Sequence, residues 1–132
     1  MLFSMPKPHL LTLALALTLA LTAGAADWPQ FRFASNRGAA SPETLPAQLH
    51  LQWERELAAP DPAFPGEIRL RYDATYEPVV MGKRLFLPSM HNDSVMALDT
   101  ETGSVAWRFF AEGPVRLAPV AWEGKVYFVA DD

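Results

Sequence analysis

The chain has 132 residues, 50% hydrophobic and 20% charged, with no cysteine, 12 prolines against 7 glycines and a formal net charge of -4. That composition belongs to a globular chain of about one domain's length and excludes collagen-like and low-complexity classes. The acidic balance, with no basic run, speaks against a nucleic-acid binder.

Residues 1–25 read as a secretory signal peptide. Lys7 precedes an uncharged core from Leu10 to Leu21, and the small residues Ala23-Gly24-Ala25 follow, with Ala23 and Ala25 where a signal peptidase needs small side chains. The competing reading is a retained membrane anchor, but the apolar stretch ends in a cleavage-like pattern and is at the short edge of the spanning range. The mature protein is therefore expected to be secreted or periplasmic. A bacterial lipoprotein would need a cysteine directly after its signal, so no lipid anchor is expected. Without disulfides, an exported chain must be stabilised by packing.

Residues 26–48 form an irregular lead-in, broken by Trp28-Pro29, Asn36-Arg37-Gly38, Ser41-Pro42 and Leu45-Pro46. In residues 49–57, Leu49, Leu51, Trp53 and Leu57 share one parity while Gln52, Glu54 and Glu56 share the other, which predicts a strand with one buried face. Residues 58–76 are a Pro-rich connection whose Pro60, Pro62 and Pro65 forbid a helix. At its end, Arg69 and Arg71 alternate with Ile68, Leu70 and Tyr72 and read as the solvated face of a strand. Strands are then predicted at Pro78–Met81, Arg84–Pro88, Ser94–Leu98, Ser104–Phe110, Ala118–Trp122 and Lys125–Ala130. Gly82-Lys83 and Glu123-Gly124 supply tight hairpin turns. Asp99 to Gly103 supplies a longer loop that closes on a left-handed glycine and is held by the Asp99 carboxylate. No segment reads as a helix, so the chain is all-β.

The strands repeat. Pro78 set against Pro119, 41 residues on, aligns Pro-Val-Val-Met-Gly-Lys-Arg-Leu-Phe-Leu with Pro-Val-Ala-Trp-Glu-Gly-Lys-Val-Tyr-Phe, apolar on apolar. A period near 40 with about four strands per unit marks a β-propeller blade. Residues 77–132 would then hold the first blade and part of a second. The segment around Trp53 looks like a fourth strand that would close the ring on a later blade, because Leu51-Gln52-Trp53-Glu54-Arg55 is similar to Val105-Ala106-Trp107-Arg108-Phe109. On this reading the chain is the N-terminal part of a ring several times longer, and its remaining blades are its first partners.

The run from Ala97 to Trp107 resembles the tryptophan-docking repeat of quinoprotein-type propellers, A-x-D-x-x-T-G-x-x-x-W, matched at Ala97, Asp99, Thr102, Gly103 and Trp107. The opening Asp27-Trp28-Pro29-Gln30-Phe31-Arg32 is similar to the start of many exported bacterial PQQ-binding-like β-propeller repeat proteins. This chain has Phe33-Ala34 where that family usually has Gly-Pro. The resemblance implies structural adhesion for the five docking residues: the tryptophan packs between blades, Ala97 leaves room, and Asp99 with Thr102 holds the turn.

No catalytic motif is present: there is no G-x-S-x-G, phosphate loop or H-E-x-x-H. No catalytic, cofactor-binding or metal residue is therefore assigned. His91-Asn92-Asp93 is the most polar loop, but a lone histidine makes no metal site. Arg69, Arg71, Tyr72, Asp73 and Arg116 enter the blades on the side where a propeller has its central channel. Two functions follow from the resemblance. One is a non-catalytic exported scaffold, similar to the scaffold subunit of the outer-membrane barrel-assembly machinery, with other envelope proteins as partners. The other is the start of a dehydrogenase using PQQ with calcium, or of a propeller fused to a separate enzyme domain.

Overall fold

The computed structural model describes residues 26–132; the expected signal peptide lies outside them. Strands β1 (Val79–Met81), β2 (Arg84–Ser89), β3 (Ser94–Asp99) and β4 (Val105–Phe110) form an antiparallel meander in that order, and β5 (Val120–Trp122) pairs with β6 (Lys125–Tyr127) in a second sheet. All six strands predicted from Pro78 onward are present, with ends displaced by up to three residues. The only helical element among the described residues is a 3-10 turn at Ile68–Leu70.

The turns follow from their residues. Gly82 has φ +57 between the paired Met81 and Arg84. Glu123 and Gly124, with φ +46 and +74, link Trp122 to Lys125. Two consecutive positive φ values are what a type I′ turn demands, and they match the right-handed twist of the strands. Pro88 lies in β2 beyond the last residue paired with β1, where one neighbour is missing and a lost donor is tolerated.

Within the first sheet β3 is buried on both faces, and this explains its unbroken apolar run Val95-Met96-Ala97-Leu98. Val79, Phe86 and Ala97 pack on one face against Ala121 of the second sheet. Leu87, Met96 and Leu98 pack on the other against Trp53, Tyr76 and Leu85. Strand β4, by contrast, is exposed along its whole length.

The opening residues clasp the two sheets together. Trp28 exchanges backbone hydrogen bonds with Val80 at 2.9 and 2.7 Å, the Ala121 amide donates to the Pro29 carbonyl at 2.7 Å, and the Gly82 amide donates to Asp27 Oδ1 at 2.7 Å. Trp28 thus adds a bridge beside β1, and Pro29 passes the chain on to β5.

The closing strand expected at residues 49–57 would have its partner in a later blade; among the described residues it carries no ladder, and Leu49 and Leu51 are 71% and 81% exposed. Alternation records which side chains would share a face; a ladder also needs a neighbouring strand to exchange hydrogen bonds with. Arg69 and Arg71 are solvated as expected, but they lie in and directly after the 3-10 turn rather than on a strand. The turn is closed by the Leu70 amide donating to the Glu67 carbonyl at 3.0 Å, so local bonding takes the place of the extended form.

Candidate functional site

The β3–β4 loop is built around one carboxylate. Asp99 Oδ1 accepts from the amides of Glu101 and Thr102 at 3.1 and 3.0 Å and from the Thr102 hydroxyl at 3.1 Å, while Oδ2 accepts from Arg84 at 2.9 Å. Desolvation works to raise its pKa, and the bonds from Thr102, Glu101 and Arg84 outweigh it, so the carboxyl lies below its ordinary value. The Gly103 amide donates back to the Asp99 carbonyl at 2.9 Å, and Gly103 sits at φ +69, the left-handed glycine that the loop requires.

A tryptophan is seated on this loop, and it is Trp53. Its indole Nε1 donates to the Thr100 carbonyl at 2.9 Å. Its ring lies so close over Gly103 that an added Cβ would come within 2.7 Å of it. The neighbouring Arg55 reaches the Gly103 carbonyl at 3.4 Å. The sequence similarity between the Trp53 and Trp107 segments was legible; that Trp53 would rest on the Asp99–Gly103 loop was not, because the two lie about fifty residues apart.

Trp107 faces the other way. It pairs across the sheet with the buried Ala97, and its ring centroid lies 5.9 Å from that of Phe86. Phe109 meets Phe128 at 5.6 Å. These rings, with Met81, Arg84 and Val126, line a groove of about 550 Å³ between the sheets, where Trp107 keeps 41% of its surface exposed.

Two residues from the expected channel side form a buried ion pair. Asp73 is fully buried, and Arg116 donates to its Oδ2 at 2.9 Å, to Asp131 at 2.5 Å and to the Asp61 carbonyl at 2.6 Å. The Ala63 amide also donates to Asp73 Oδ2, at 2.8 Å. Desolvation opposes the Arg116 charge, but its bonds to Asp131 and Asp73 prevail and hold its pKa above the ordinary value. The pair therefore ties the Pro-rich connection to the approach of β5. The loop with His91, Asn92 and Asp93 is held locally, where Ser94 Oγ donates to Asn92 Oδ1 at 2.6 Å, and from the end of β4, where the Ala111 amide donates to the Asp93 carbonyl at 2.7 Å. Among the described residues no group of three His, Asp or Glu side chains converges where a metal could be held.

A four-stranded meander packed face to face on a second sheet, with equivalent prolines 41 residues apart, defines these residues as part of a β-propeller with quinoprotein-type repeats. The chain belongs to the family described as outer membrane protein assembly factor BamB, whose model matches residues 46–132. Searches of the curated proteins and of the solved structures returned no match. Among the described residues no helix is long and apolar enough to cross a membrane.

Proposed function

We propose that this protein is an exported, non-catalytic propeller module of the cell envelope, whose blades adhere through tryptophans seated on Asp99-type loops and whose surface binds other envelope proteins. The observation that carries this reading is the seat of Trp53 on Gly103 and Thr100. The conformation of that loop is set by Asp99 and Thr102, whose hydrogen bonds hold the turn on which the tryptophan rests. Trp107, aligned with Trp53 in sequence, has the same task toward a further blade. The family's description in terms of outer-membrane protein assembly supports a place in the envelope, and the signal-like residues 1–25 support export with cleavage after Ala25 or Ala26.

The test is made on the full-length protein produced with its native start. The mature form is expected in the periplasmic or envelope fraction, with its N-terminus at Ala26 or Asp27 by mass spectrometry, and with no dye-linked oxidation of alcohols or sugars after addition of PQQ and calcium. Turnover under those conditions would replace this reading with a quinoprotein dehydrogenase. An unprocessed cytoplasmic product would overturn export.

A further inference from the structure

The arginines of the lead-in and of the Pro-rich connection meet in one place. Arg32 and Arg37 from the first segment and Arg71 from the second line a cleft of about 720 Å³ beside the start of β5. That volume lies within the about 300–1,000 Å³ typical of ligand sites. Its apolar wall includes Phe31, Tyr72 and Leu117, which are 39%, 50% and 45% exposed. Glu77 is the one carboxylate in the lining, and the ion pairs among the described residues involve none of the three arginines. The cleft therefore carries a surplus of positive charge in a chain whose net charge is -4.

The loop that presents Arg32 and Arg37 is held in an unfavourable backbone conformation. Of the six non-glycine residues with positive φ among those described, four lie in it: Arg32 (+56), Phe33 (+76), Arg37 (+57) and Ala39 (+53). Each left-handed residue costs about 1 kcal/mol or more. Local bonds maintain the shape: the amides of Ala34 and Ala39 both donate to the Arg32 carbonyl at 3.0 Å, and Arg37 donates to the Phe31 carbonyl at 3.3 Å with its guanidinium 5.5 Å from the centre of the Phe31 ring. The Phe33 ring meets Trp28 edge-on at 5.3 Å. Strain concentrated where two cations are displayed is characteristic of a recognition loop.

We propose that this cleft binds an acidic peptide segment of a partner protein, one in which Asp or Glu alternate with apolar side chains. The inference rests on the reading of the chain as a binding module and names the partner's chemistry. Guanidinium groups present forked donors that match carboxylates two bonds at a time. The exposed aromatic and aliphatic wall calls for apolar groups interleaved with the acids, which a nucleic-acid backbone does not offer. A flat bilayer cannot enter a concave cleft, and the chain's net negative charge disfavours unspecific attraction to polyanions.

The experiment is calorimetric titration of the full-length protein with a hexapeptide alternating Asp and Leu, with its Lys-for-Asp counterpart, and with vesicles containing phosphatidylglycerol. Binding of the acidic peptide alone is expected, weakened by added salt, and reduced about tenfold by Arg71→Glu, whose side chain makes no hydrogen bond in the fold. Arg37→Glu provides a second reversal, and Lys83→Glu, at the other end of β1, should leave binding unchanged. No binding of the acidic peptide, equal loss with Lys83→Glu, or binding to the vesicles in its place would overturn the proposal. Dye-linked oxidation measured on the same preparation separates the outcomes, since turnover strikes the module reading whereas absent peptide binding without turnover strikes only the cleft.

Discussion

Gly103 combines two requirements that no other residue meets. Its φ of +69 disfavours any side chain, and the Trp53 ring occupies the space a Cβ would need, at 2.7 Å. Gly103→Ala is expected to lower stability by about 2–3 kcal/mol, read as a lower urea midpoint, and to shift the Trp53 component of the fluorescence to the red as the indole leaves its seat. An unchanged midpoint would mean that Trp53 does not rest on this loop. Asp99 was legible as the holder of the loop from its spacing to Thr102 and Gly103, because those bonds span two or three residues. Asp73 and Arg116 were not legible as a pair, since 43 positions separate them and only the tertiary fold brings them to 2.9 Å.

Between elements, the Asp73–Arg116 pair does for the connections what the ladders do for the strands. Asp73 has no exposure and the Arg116 side chain 12%. Removing the cation leaves a buried carboxylate with one backbone donor, so Arg116→Leu should cost about 3–5 kcal/mol of stability in urea unfolding. Adding Asp73→Asn should return part of that loss, because the uncompensated charge is then gone. If the two substitutions add without coupling, the pair is not what joins residues 61–73 to the approach of β5. The clasp by Asp27, Trp28 and Pro29 belongs to the same scale: prolines mark the lead-in as irregular, yet its backbone bridges β1 and β5. Backbone hydrogen bonds to a distant strand leave no mark on local periodicity.

At the scale of the whole molecule, the aromatic surface is uneven. β4 is exposed throughout, with Phe109 and Phe110 at 54% and 64%, and Trp122 on β5 is 61% exposed. Open strand edges beside large apolar side chains favour pairing with another chain. Residues 26–132 produced alone are therefore expected to associate at micromolar concentration in sedimentation velocity, and Phe109→Lys with Phe110→Lys to shift them toward monomer. A monodisperse monomer before substitution would contradict this. The sequence by itself determined the strand class, the six strands, their turns and the repeat, because alternation, turn glycines and the Asp99 loop act over a few residues. The same local character predicts a strand at residues 49–57 without supplying the neighbour it would pair with. Only the tertiary structure decided that Trp53 sits on Gly103, that Asp73 meets Arg116 and that three arginines share a cleft, because such contacts depend on which distant segments the fold brings side by side.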